Sequence, residues 1–124
     1  MKKEIETGNT SSAHLLSQGI VSNGLIFVSG QIHATPDLKL VGESTAEKVE
    51  QIMTNIKEVL TAAGASLDAV VKVVIYVTDM AIMPELNAVY PSYFSKPLPV
   101  RETICVTALP LGASIEISVI ASKG

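Results

Sequence analysis

The sequence predicts an α+β fold, a sheet with two helices packed on one of its faces. Three observations predict it. A capped amphipathic stretch spans 45–63, and a second, proline-led helical stretch begins at Pro84. Every other apolar run is short, rich in β-branched residues and bounded by turn residues. At 124 residues the chain is long enough for one domain, 1–124, with a real core. Hydrophobic residues are 48% and aromatics 4%, so Val, Ile, Leu, Ala and Met must build that core. Charged residues are only 17%, below the usual quarter, which points to extra buried surface at an oligomer interface.

The elements follow in order. Residues 2–6 read as a short first strand. Thr7 to Pro36 then holds no Asp, Glu, Lys or Arg, and opens on a Gly-Asn-Thr-Ser-Ser loop. Ile20-Val21 and Leu25 to Val28 flank Ser22-Asn23-Gly24, and Asn-Gly is a strong hairpin signal. The second arm continues through Ser29-Gly30-Gln31-Ile32. Gly30 inside a strand marks a bulge or a close approach, either by packing or by a ligand. Ser44 followed by Glu47 forms a capping-box pattern. Val49, Ile52, Met53, Ile56, Val59 and Leu60 recur at helical spacing, and Gly64 supplies the stop. Val70 to Thr78 is a mostly buried strand with Val71, Val73, Ile75 and Val77 on one apolar face. Pro84 opens a second helix with Leu86, Val89, Tyr90, Tyr93 and Phe94 as its stripe, and Pro91 should kink or shorten it. Pro99 to Ala121 reads as a final hairpin of two strands joined through Leu109-Pro110-Leu111-Gly112. Two helices leave one sheet face uncovered, and a symmetric oligomer that packs sheet on sheet would cover it.

Charge and motifs exclude several functions. The net charge is −3 and no basic stripe with interleaved aromatics exists, so nucleic acid is not an expected partner. No membrane is expected either, since no apolar run reaches spanning length. One cysteine and no signal-peptide pattern predict a cytoplasmic protein. His14 and His33 lack ligand partners at metal-site spacing, so no metal is expected. Cys105, alone in a strand, reads as a small core residue. No phosphate loop, dinucleotide fingerprint or nucleophile elbow appears.

Two charges stand out. Arg101 is the only arginine beside eight lysines, and Glu116 lies between Ile115 and Ile117 in an apolar strand. Charges in such places are paired or ligated. A guanidinium grips a carboxylate through two parallel hydrogen bonds, which an ammonium cannot do. Two readings stay open: a structural ion pair of Arg101 with Glu116 or Glu102, or a site for a small carboxylic acid. By strand parity Arg101, Thr103 and Cys105 share a face.

The C-terminal block resembles the signature of the Rid (YjgF) family of reactive enamine/imine deaminases. The matching pieces are Pro99-Val100-Arg101, Leu109-Pro110-Leu111-Gly112-Ala113 and Ile115-Glu116-Ile117-Ser118-Val119-Ile120-Ala121. Ser17-Gln18-Gly19, Val28-Ser29-Gly30-Gln31-Ile32, Val77-Thr78-Asp79-Met80 and Asn87-Ala88-Val89-Tyr90 look like family segments too. The resemblance implies a chorismate-mutase-like mixed sheet and a homotrimer with three clefts between subunits. It implies hydrolysis of 2-aminoacrylate and related 2-imino acids to 2-keto acids and ammonium, without a cofactor. Arg101 would hold the substrate carboxylate and Glu116 would position the attacking water. Gly30 and Thr103 would line the site mainly through backbone groups, with Asn87 and Tyr90 nearby. Leu16 stands where many deaminating members have Tyr, Thr103 where many have Cys, and Glu102 where Ser or Thr often follows the arginine. The alternative is a non-catalytic module that binds a small keto or amino acid in the same cleft.

Overall fold

The computed structural model describes residues 1–123. Six strands form one sheet: β1 (Lys3–Glu4), β2 (Gly19–Ser22), β3 (Leu25–Ile32), β4 (Val70–Val77), β5 (Val100–Cys105) and β6 (Ile115–Ser122). Their order across the sheet is β1-β2-β3-β6-β4-β5. Only β4 and β5 run parallel, so the sheet is mixed. Helices α1 (Thr45–Ala62) and α2 (Met83–Val89) complete the fold.

Local sequence explains most boundaries. Asn23 and Gly24 take φ of 51° and 75°, the paired left-handed geometry of a tight two-residue hairpin turn between β2 and β3. The Ser44 hydroxyl accepts from the Glu47 N–H at 3.1 Å, and the Glu47 carboxylate accepts from the Ser44 N–H at 3.0 Å. That reciprocal box starts α1. Pro91 does shorten the second helix: α2 stops at Val89 and a 3-10 turn, Tyr90–Tyr93, follows.

The core lies between α1 and one sheet face. Ile52, Met53, Ile56 and Leu60 of α1 meet Ile26, Val73, Ile75, Ile117 and Ala121, all fully buried. Each buried Ile or Leu stabilises the fold by about 1.5–3 kcal/mol relative to exposure. The opposite face carries Phe27, Val100 and Ile104 at 41%, 66% and 39% exposure, so the protomer leaves an apolar face uncovered.

Three expectations need correction. Residues 99–121 do not form a hairpin. β6 inserts between β3 and β4, whereas β5 lies outside β4 and parallel to it, reached by the crossover through α2. The reason is burial: β6 alternates buried residues along its whole length, while β5 has none and suits an edge. Val71 is exposed and Val70 buried, because the β4–β6 register slips between Val70 and Lys72. That bulge turns one residue of the expected apolar stripe outward. Cys105 is exposed on β5, not a core residue.

Candidate functional site

Two clusters of expected site residues lie on opposite faces of the sheet. Arg101 is in register with Val73 and Thr103 with Ile75, so their side chains share the helix-covered face. Glu116 is in register with Tyr76 and Ile32, on the uncovered face. One protomer therefore does not bring Arg101 and Glu116 together.

The first cluster is built around Arg101. Its Nη2 donates to Asn87 Oδ1 at 2.8 Å, and its Nε donates to Thr103 Oγ1 at 3.2 Å. The guanidinium carbon lies 4.8 Å from the Tyr90 ring centroid. Such stacking fixes the plane of the fork. Asn87 and Tyr90 sit three residues apart, one at the end of α2 and one just past it, and both reach Arg101. Thr103 contributes its hydroxyl rather than only backbone groups. Burial pushes the Tyr90 phenol up, opposed by the nearby Arg101 charge. Arg101 has no carboxylate partner among the described residues, and Glu102 pairs instead with Lys72 at 3.4 Å. The structural ion-pair reading of Arg101 within one protomer is thereby removed.

The second cluster lines a cavity of about 360 Å³ that includes Leu16, Ser29, Gly30, Gln31 and Glu116 in its wall. Gly30 serves both predicted purposes. The β3–β6 register slips between Val28 and Gln31, and a Cβ at Gly30 would fall 2.3 Å from Glu116 Oε2. Any side chain at position 30 would occupy the place of that carboxylate. Burial raises the Glu116 carboxyl above its ordinary value. Glu116 is the only ionisable side chain among the described residues lining the cavity.

Several supporting residues carried no strong sequence signal. Ser29 Oγ donates to the Ser17 carbonyl at 2.6 Å, and the Ser29 N–H donates to the Gln18 carbonyl at 2.9 Å. Buried Gln31 donates to Gln18 Oε1 at 3.2 Å. These bonds tie the 9–18 segment to the wall beside Glu116. The one available clue was the absence of charge from Thr7 to Pro36. His33, also buried, donates from Nδ1 to the Val41 carbonyl at 3.0 Å and accepts at Nε2 from the Ser114 N–H at 3.1 Å. That pair fixes a neutral ring and pins the approach to β6. Burial lowers its pKa. No group of His, Cys, Asp and Glu able to hold a metal occurs among the described residues. No helix among them is long and apolar enough to cross a membrane.

Comparison with known proteins agrees with this fold. The family model described as endoribonuclease L-PSP matches residues 7–123. Protein HMF1 of Saccharomyces cerevisiae is 47% identical over 113 residues, covering 91% of this chain and 88% of that protein. Reactive Intermediate Deaminase A, chloroplastic, of Arabidopsis thaliana is 41% identical, covering 98% of this chain and 67% of that protein. The crystal structure of yeast Mmf1 superposes with a TM-score of 0.92 at 36% identity, over 100% of both chains. The mixed six-stranded sheet with its two helices is the YjgF, chorismate-mutase-like architecture, and the chain belongs to the endoribonuclease L-PSP family, the YjgF/Rid proteins.

Proposed function

We propose that the protein hydrolyses 2-aminoacrylate and related 2-imino acids to 2-keto acids and ammonium, at clefts between the subunits of a homotrimer. The observation that carries this reading is the Arg101 guanidinium, held at Nε and Nη2 by Thr103 and Asn87 and stacked on Tyr90, with no carboxylate partner among the described residues. A fixed, unpaired guanidinium suits a small carboxylate. Arg101 of one protomer would hold the substrate, and Glu116 of a neighbour would face its C2 atom. The uncovered apolar face supports the assembly.

The chemistry asks little of the site. An enamine such as 2-aminoacrylate first takes a solvent proton at C3 and becomes the iminium. Water adds to C2 of the iminium and passes a proton to Glu116. Glu116 returns that proton to the amino nitrogen, the C–N bond breaks, and the carbinol oxygen gives its proton to the departing ammonia, leaving the keto acid and ammonium. A carboxyl whose pKa is raised is a better base than an ordinary one once ionised. Orientation of water and substrate supplies the rest. The relative named Reactive Intermediate Deaminase A supports the reaction class. The family's description as an endoribonuclease finds no support in a net charge of −3. We place the protein in a reducing compartment, the cytoplasm, on its single cysteine.

The test generates 2-aminoacrylate with a dehydratase and follows keto-acid release. Wild type should accelerate release and Arg101→Ala should not; equal rates for the two would sink the mechanism. A second reading has its own support. Leu16 places an aliphatic group, without a hydroxyl, in the wall that holds Glu116. A binding module would show a thermal shift with 2-keto acids yet no turnover.

A further inference from the structure

We propose that Leu15, Leu16, Leu38 and Leu111 form an aliphatic subsite beside Glu116 that selects 2-imino acids with larger apolar side chains over the three-carbon substrate. The inference rests on the imine-hydrolysis reading and names the substrates that reading favours.

Two of these leucines stand in an unfavourable backbone conformation. Among the described residues only Asn23, Leu38 and Leu111 take positive φ without being glycine, at 51°, 63° and 59°. Asn23 is explained by its hairpin turn. Leu38 and Leu111 also sit in tight turns, but there glycine or asparagine would adopt the same backbone with less strain. The turns themselves are held by main-chain bonds. The Leu38 N–H donates to the Thr35 carbonyl at 2.9 Å, and the Ala113 N–H donates to the Pro110 carbonyl at 3.0 Å. Neither bond needs a leucine side chain. Both side chains nevertheless line the cavity that holds Glu116. Strain retained at a cavity wall is a mark of function.

Position agrees with strain. Leu15, Leu16, Leu38 and Leu111 are 74%, 45%, 48% and 56% exposed, yet all four converge on this one cavity. An imino acid has three substituents on C2. Arg101 takes the carboxylate, and Glu116 faces the attacking water and the departing nitrogen. The third substituent meets what is left of the wall, which is aliphatic. A three-carbon acid would leave that aliphatic wall largely uncontacted.

The test measures kcat/KM for imines made in situ from alanine, 2-aminobutyrate, norvaline and leucine by an amino-acid oxidase. In parallel, calorimetry measures binding of the corresponding 2-keto acids. Wild type should favour the leucine-derived over the alanine-derived imine by at least about tenfold. Leu38→Gly and Leu111→Gly should cut that ratio below about threefold, with melting temperatures equal to or above wild type because the backbone strain is relieved. Leu38→Asn and Leu111→Asn repeat the test with a residue that accepts the same backbone. A flat wild-type series, or a ratio unchanged in the variants, overturns the inference. So does a changed oligomeric mass with an unchanged ratio, which would make these leucines subunit contacts. If no imine is turned over, the hydrolytic reading fails and the keto-acid series alone decides. Affinity that rises with chain length and is lost in the variants upholds the subsite, and flat affinity overturns it.

Discussion

Gly30→Ala separates the site from the fold more cleanly than any other single change. The added Cβ would lie 2.3 Å from Glu116 Oε2, 2.9 Å from its Cδ and 3.3 Å from its Cγ. An ordinary contact begins near 3.4 Å, so the carboxylate oxygen must retreat by about 1.1 Å. Gly30 does not have positive φ, so alanine fits its backbone. Forcing Glu116 off its rotamer costs about 0.5–1.5 kcal/mol. Reduced freedom of the unfolded chain returns about 0.4–1 kcal/mol. Stability should therefore change by less than about 1 kcal/mol. Activity should not be spared, because a 1 Å misplacement of a reacting group costs about 100-fold. The assay is keto-acid release from 2-aminoacrylate, paired with thermal unfolding of the same preparation. In a Glu116→Gln background the glycine substitution should add almost nothing, since both changes strike one interaction. A Gly30→Ala protein with wild-type kcat/KM would refute the reasoning, because the carboxylate would then be needed elsewhere or not at all.

Other expectations follow from the same geometry. Arg101→Lys should lose roughly 100-fold in kcat/KM by giving up the planar fork, yet change stability by less than about 1 kcal/mol; a large loss of stability in unfolding titrations would restore the structural ion-pair reading. Tyr90→Phe should leave stability equal or higher, since the hydroxyl is buried with no partner among the described residues, and thermal melts check it. Burial raises the Glu116 carboxyl, so the acid limb of kcat/KM should fall at a pH above the ordinary glutamate range of about 4.3. A limb at or below that value contradicts Glu116 as the base. His33 is held neutral with a lowered pKa, so the unfolded chain binds its proton first as pH falls. Its contribution to stability is present above about pH 6.5 and is lost below it. The gap between wild type and His33→Gln in denaturant titrations should shrink from pH 7 to pH 5; a constant gap argues against it.

Much of this was legible in the residues. The Ser44–Glu47 box, the Asn23-Gly24 turn and the Pro91 stop act within a few residues of themselves, so local chemistry decides them. Gly30 advertised a close approach, and only the coordinates could say that Glu116 is what approaches. The singular Arg101 and the buried-strand Glu116 were visible as anomalies of charge. Their placement on opposite faces was not. Strand parity orders residues within β5 or within β6, but says nothing of which strands pair. The expected hairpin failed for that reason: a parallel crossover through α2 and a local hairpin look alike along the chain. The outward turn of Val71 depends on a one-residue register slip with β6, a long-range event. The left-handed leucines carry the least signal, since their neighbours, Asp37 and Gly112, mark turns without saying which residue takes positive φ.

Mixing two inactive proteins tests the central claim most directly. Arg101→Ala and Glu116→Gln subunits, unfolded together in equal amounts and refolded, form random rings. If each site joins Arg101 of one subunit to Glu116 of the next, about a quarter of the sites regain both groups, and activity should return to about 25% of wild type. Activity that stays at the level of the separate variants would contradict a site shared between protomers.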